Sequence, residues 1–409
     1  MTDAVTPPTI STISEDEYRF EWSCGIQAVV DRIAEHSHEL SANISITSTR
    51  PPSPGSIYPA ARINLMSPQT RDRLATNCAK REPDLDWDAI IGQLCVRTQD
   101  RWRTGEPSID MRQYEPSALG RWLLEPYIER ADATVLFARG GTGKSLFATA
   151  LAITVASGHE IVGRLHGSPE PVLYLDWETN SDTFSERLRA FCFGAAIPVP
   201  AVHYQRMVSS LPEAASTLAK EVRRLDVGLV IVDSRGMARG GEPESADLTI
   251  RTFKAGRQLG VPWVAVDHVT KASGDDAQEP FGSAYTRNAA RLMWSLRKSN
   301  DQIALRLTKA NNGREGSQAA YRTTVDVNAA DRPVCIRYDP IDLAVSVFSD
   351  SLPLRQRILT TLVRGMTREE LAEDLEADIK TVRARIVEMK KSGEVTEVDN
   401  LLWKPSINN

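Results

Sequence analysis

The run ARGGTGKS at 138–145 constrains this chain more than any other feature. The apolar stretch TVLFA at 134–138 reads as a strand leading into it. SLFATALAITVASG at 145–158 reads as a helix leading out, closed by Gly158. A glycine-rich turn in that context wraps backbone N–H groups around phosphate, and the new helix aims its positive end at the same point. Arg139, Gly140, Gly141, Thr142, Gly143, Lys144 and Ser145 are therefore the expected nucleotide-binding residues. Lys144 is expected to reach the β- and γ-phosphates of ATP, and the Ser145 hydroxyl to ligate Mg²⁺. The usual pattern opens on glycine, whereas this chain has Ala138. One methyl group does not prevent nucleotide binding, though it allows a different turn.

Further polar residues fall at the ends of apolar runs. Asp233 closes LVIVD, where a carboxylate can hold the metal through its water shell. Asp176 and Glu178 follow VLYLD. Hydrolysis needs a group to orient and deprotonate the attacking water. No glutamate follows Asp233, so Glu178 is the expected base and Asp176 the competing candidate. Trp177, between them, reads as a packing residue. His268 closes WVAVDH, placed to sense the γ-phosphate and signal to the next loop. That loop begins at Lys271 and is a candidate contact for single-stranded DNA, although Asp275, Asp276 and Glu279 weaken the electrostatic case. LTKANNGREG at 307–316 carries Lys309 and Arg314, cations that a ring-forming ATPase can insert into a neighbour's site.

The chain has 409 residues, enough for two or three domains, and a formal charge of -5, which excludes a uniformly basic surface. Residues 1–20 read as a flexible tail, and 21–115 as an N-terminal α+β domain with a structural or docking role. Within it Cys24–His38 reads as a helix, 41–48 and 58–66 as strands, and two helices follow near 69–80 and 87–101. Residues 116–330 alternate buried strands with helices, the pattern of a mainly parallel sheet covered on both faces. A linker is expected at 331–351.

The last part, 352–409, reads as three short helices and a hairpin, a winged helix-turn-helix. Thr367 and Glu370 form a capping box for the second helix. The third carries Lys380, Thr381, Arg383, Arg385 and Lys390 as candidate contacts to duplex DNA. Five basic and two acidic residues between 378 and 391 give it a local charge of +3, yet the whole stretch 353–409 is balanced, with ten of each sign. A docking role is the alternative. No stretch approaches the ~20 apolar residues of a membrane span, and no secretory signal opens the chain, so the expected location is cytoplasmic. The five cysteines make no metal-ligand spacing.

Taken together, RGGTGKS, VLYLDWE, LVIVDS, VDHVTK, GSAYTRNAAR and LTKANNG resemble the RecA-like P-loop ATPases, most closely the RepA-type hexameric helicases of plasmids and phages, which are related to DnaB. The resemblance covers about 116–315. It implies an α/β RecA-like core using ATP and Mg²⁺, with Lys144 and Ser145 in the loop, Glu178 as catalytic glutamate, Asp233 beside the metal and His268 and Lys271 following. It also implies a homo-oligomer, usually a hexamer, and DNA as partner. In the late motif the basic residue is replaced by Asn311, with Arg314 slightly later. The expected function is a DNA-stimulated ATPase, a helicase or translocating replication motor of a mobile element. The alternatives are an ATP-gated DNA-binding regulator and a recombination or repair ATPase without unwinding activity.

Overall fold

The structure is a computed structural model that describes residues 5–14, 17–36, 39–51, 54–105, 108–242, 245–269, 280, 285–311, 318–343, 346–362 and 364–403. The first unit contains β1 (Thr9–Ser14), β2 (Glu17–Glu21), β3 (Ile26–His36), β4 (Glu39–Ser48), β5 (Gly55–Asn64), α1 (Pro68–Ala79) and α2 (Trp87–Thr104). Its five strands form an antiparallel meander in chain order, and Leu74, Cys78, Ile90, Ile91 and Leu94 of the helices pack on it.

Two expectations are corrected here. Residues 9–14 and 17–21 are strands of this sheet, not a loose tail, because Tyr18 and Phe20 alternate into its core. Cys24–His38 holds the strand β3 and not a helix. Ile26, Ala28 and Val30 are buried at every second position, and a bulge at Arg32 (φ 52°) resets the phase so that Ile33 is also buried.

The second unit opens with β6 (Trp122–Glu125), β7 (Ile128–Glu129), β8 (Ala133–Ala138), α3 (Lys144–Ser157), β9 (Arg164–Leu165), β10 (Val172–Asp176) and α4 (Ser181–Gly194). It continues through β11 (Val202–Arg206), α5 (Leu211–Arg224), β12 (Leu229–Asp233), α6 (Arg235–Ala238), α7 (Ala246–Gln258), β13 (Trp263–His268) and α8 (Tyr285–Ala289). It ends with β14 (Leu292–Ser299), β15 (Gln302–Ala310), β16 (Gln318–Val327) and β17 (Pro333–Ile341). Nine of these strands form one mixed sheet in the order β11-β10-β12-β13-β8-β14-β15-β16-β17. The strands from β11 to β14 are parallel, and β14 to β17 are joined antiparallel.

The central parallel strands β10, β12, β13 and β8 are apolar on both faces. Tyr174, Ile231, Val266 and Leu136 face one core with α3 and α4, whereas Leu175, Val232, Ala265 and Phe137 face another with α5 and α7. The expected linker at 331–351 is also corrected. It contains β17, whose Ile336 and Tyr338 sit in the same core as Phe191 of α4.

The third unit is α9 (Leu354–Thr361), α10 (Arg368–Asp374), α11 (Ile379–Lys391), β18 (Thr396–Val398) and β19 (Leu401–Trp403). Ile358, Leu371, Val382, Ile386, Met389 and Leu402 share one core, and the Thr367–Glu370 capping box is formed. Three helices around a two-stranded hairpin are compatible with a winged helix-turn-helix. Among the described residues no helix is long and apolar enough to cross a membrane.

Candidate active site

Four adjacent strands deliver their carboxyl ends to one place. In sheet order these are β10, with Glu178 two residues beyond it, β12 ending at Asp233, β13 ending at His268, and β8 running into the glycine loop. The register aligns them, for Asp176 pairs with Asp233 and Ala138 with His268. Crevices at the carboxyl ends of parallel strands are where open α/β sheets bind ligands.

Ala138 is still part of β8, so the position usually held by glycine needs no special conformation here. Gly141 and Gly143 lie at φ +79° and +92°, which side chains rarely adopt. Helix α3 begins at Gly143 without a side-chain cap. Its first N–H groups therefore face the site, ready for an anion.

The Lys144 side chain lies inside this turn and the residue is only 5 % exposed. Its amine donates to the carbonyls of Ala138 (3.1 Å) and Arg139 (2.8 Å) and lies 3.2 Å from Nδ1 of His268. Burial lowers its pKa, opposed by the charges of Asp233, Glu178 and Asp267. An ammonium donates to Nδ1, which leaves the proton of a neutral imidazole on Nε2. That nitrogen is 3.4 Å from Oε1 of Glu178. His268 thus stands between the loop lysine and the carboxylate.

Glu178 receives a second hydrogen bond on the same Oε1, from the Ser234 hydroxyl. The bonds from His268 and Ser234 outweigh burial and hold its carboxyl at about 2. Oε2 makes no hydrogen bond among the described residues, and the side chain is 38 % exposed. Asp176 is different. One of its oxygens accepts the N–H groups of Glu178 (2.7 Å) and Thr179 (2.9 Å), while the other accepts the Thr179 and Tyr204 hydroxyls. It builds the turn that presents Glu178. Trp177 packs, donating its indole N–H to the Ser209 carbonyl at 3.0 Å.

Asp233 is buried, which raises its pKa, and its carboxylate accepts the hydroxyls of Tyr174 (2.6 Å) and Ser145. Both partners are neutral. A buried carboxylate beside a loop hydroxyl, with no ion pair among the described residues, fits a hard divalent ion with oxygen ligands. Among the described residues no three acidic, histidine or cysteine side chains gather as a complete metal cage. An ion here would draw its other ligands from phosphate and water.

Beyond the glycine loop, on the β14 side, lies a cleft of about 200 Å³ lined by Arg139, Thr142, Ser295, Arg297 and Phe348.

Other sequence-derived candidates fall elsewhere. The Lys309 amine is bound to the carbonyls of Arg287 and Ala290 at the end of α8, so it is committed inside its own subunit. Arg314 and Lys271 lie outside the described residues. On α11, Thr381 bonds the cap residue Asp378, Arg383 pairs with Glu369 at 2.6 Å, Arg385 with Glu388 at 2.6 Å, and Lys390 with Glu397. Lys380 makes no ion pair among the described residues. Tyr174, Ser234, Arg235 and Asp267 were not assigned roles from sequence. No local pattern in the sequence marks them, because their partners lie on other strands.

The glycine loop between β8 and α3, with Lys144 and Ser145 opening the helix, is that of a P-loop ATPase domain. Residues 108–274 match the family model of the AAA domain. The crystal structure of the RadB recombinase is similar over 48 % of this chain and 89 % of that one, at 15 % identity and a TM-score of 0.37. No curated protein matches.

Proposed function

We propose that this protein is a Mg²⁺-dependent ATP hydrolase that acts on DNA as a recombination- or repair-type ATPase, without the unwinding activity of a helicase ring. The observation that carries the hydrolase reading is the convergence of Lys144, the Ser145–Asp233 contact, Glu178 and His268 on four neighbouring strand ends. The triphosphate lies along the glycine loop, with the Lys144 ammonium beside the β- and γ-phosphates. Glu178 holds the attacking water through its open Oε2. The water oxygen bonds to the γ-phosphorus as the bond to the β-phosphate oxygen breaks, and the water's proton passes to Glu178, giving ADP and phosphate. Ser145 and Asp233 would hold Mg²⁺, which when bound neutralises charge on the phosphate oxygens. His268, bridging Lys144 and Glu178, registers whether the γ-phosphate is present.

The nucleoside end falls in the cleft beside the loop, against Phe348. Phe348→Leu is expected to weaken nucleotide binding by about 2- to 10-fold, the value of one aromatic contact, as measured by titration with a fluorescent ATP analogue.

DNA is engaged by the winged C-terminal unit and by the loop starting at Lys271, and the N-terminal sheet unit is a docking domain. Because most cations of α11 are paired, phosphate must displace weak exposed ion pairs to be bound. If α11 contacts phosphate, Lys380→Ala should lower the salt slope of DNA affinity by about 1. An unchanged slope assigns α11 to protein docking.

The commitment of Lys309 within its own subunit removes one of the two cations a ring would use across a boundary, which favours the non-unwinding reading over a hexameric helicase. A second reading, an ATP-gated DNA-binding regulator, is favoured by the position of Phe348. In chain order it lies between β17 and α9, and it lines the cleft beside the glycine loop. Phosphate release with and without single-stranded and duplex DNA, strand-displacement assays and the mass of the assembly together test these readings. DNA-stimulated hydrolysis without strand displacement is expected. Unwinding by a hexamer would establish the helicase, and sequence-specific duplex binding gated by ATP the regulator.

A further inference from the structure

Behind the site, Arg235 and Asp267 form an ion pair that is 0 % and 2 % exposed. The mechanism above does not use it. Arg235 is the first residue of α6 and directly follows Ser234. Asp267 directly precedes His268 at the end of the neighbouring strand. Oδ2 of Asp267 accepts Nε of Arg235 at 2.9 Å and also its Nη2, while Oδ1 accepts the backbone N–H of His268 at 2.9 Å. One carboxylate therefore fixes the loop leaving β12 to the end of β13. The two residues so fixed, Ser234 and His268, are the two that bond Oε1 of Glu178.

From this geometry, and resting on the hydrolase reading, we infer that the Arg235–Asp267 pair is a positioning device. It sets the Ser234 and His268 side chains so that Oε1 of Glu178 is held and Oε2 is aimed at the attacking water.

The energetics point the same way. Burying two charges costs several kcal/mol per ion, and well-packed apolar residues of similar volume commonly hold a core as well or better. Nη1 of Arg235 has no hydrogen-bond partner among the described residues, a further cost in a buried site. The guanidinium also lies 5.7 Å from the Phe253 ring centroid, and Arg239, itself buried, is close enough for the two positive charges to repel. Stability alone does not account for such an arrangement. Its geometric effect is specific, because both ends of the pair adjoin a ligand of Glu178.

The test uses the full-length protein. Arg235→Met with Asp267→Leu replaces the pair by apolar side chains of similar size. Asp267→Asn, which keeps the volume and an acceptor for the His268 N–H, serves if that double variant does not fold. Thermal unfolding, nucleotide Kd and single-turnover hydrolysis are measured for each, alone and combined with Glu178→Gln. A folded variant with Kd within about twofold of the parent and hydrolysis slowed tenfold or more is expected, with almost no further loss when Glu178 is already Gln. Hydrolysis within twofold of the parent overturns the inference. So does an equal loss in both backgrounds, which is the signature of a merely structural pair. If the parent protein itself fails to hydrolyse ATP, the hydrolase reading falls, and this inference with it.

Discussion

Lys144→Ala is expected to lower ATP hydrolysis by at least about 10²-fold, the usual cost of removing one fixed donor from a charge-developing site. The ammonium lies within the glycine turn, and among the described residues only carbonyls and His268 are within hydrogen-bonding distance. In this partly desolvated place it interacts with a phosphate more strongly than it would in water. Its removal leaves the backbone N–H groups of the loop to hold the nucleotide alone, so ATP affinity should fall as well. Stability should change little, because the side chain makes no ion pair and its burial opposes its charge. Phosphate release, calorimetric titration with Mg-ATP and thermal unfolding together check this outcome. Full activity in the variant would show that the turnover belongs to another site.

Glu178→Gln is expected to lower turnover by about 10²–10⁴-fold, the range for a positioned acid–base group, while ATP stays bound. Glutamine keeps an oxygen for the Ser234 hydroxyl but presents no carboxylate to water. Asp176 cannot substitute, because both its oxygens are occupied by its own turn and by Tyr204. Rapid-quench measurement of bound ATP and ADP distinguishes trapping from failure to bind. Normal turnover in this variant would remove Glu178 from the role. The pH dependence follows from the hydrogen bonds. The Glu178 carboxyl, at about 2 in the fold against 4.5 otherwise, favours folding above pH 4.5 and loses that contribution as pH falls toward 2. Between pH 5 and 8 it stays ionised, so no inflection in the hydrolysis profile over that range should arise from it.

Much of the central sheet was legible because its strands are apolar on both faces and its helices amphipathic, two patterns that differ in length and period. The glycine loop was legible because few other roles require three glycines, a lysine and a serine between a strand and a helix. The N-terminal sheet was harder. Ile26, Ala28 and Val30 alternate over too few residues before the bulge at Arg32, and the surrounding Ala, Val and Ile also satisfy a helical spacing. β16 and β17 were missed because Arg322, Asp326, Arg337 and Asp339 occupy exposed positions, with Tyr321, Ile336 and Tyr338 reaching the main core. The second layer of the site was not legible at all. Ser234, Arg235 and Asp267 acquire meaning only when β12 and β13 lie side by side, since pairing at 32 residues' separation leaves no local trace.

The seat of Phe348 has a practical consequence. A truncation at Ile341, where the last strand of the large sheet stops, would preserve every strand of the ATPase unit yet strip away one wall of its cleft. It would also expose Ala304 and Ala320, which Phe348 and Leu352 cover. On the proposed placement of the nucleoside, poor nucleotide binding by such a fragment would report the missing wall rather than the quality of its phosphate loop.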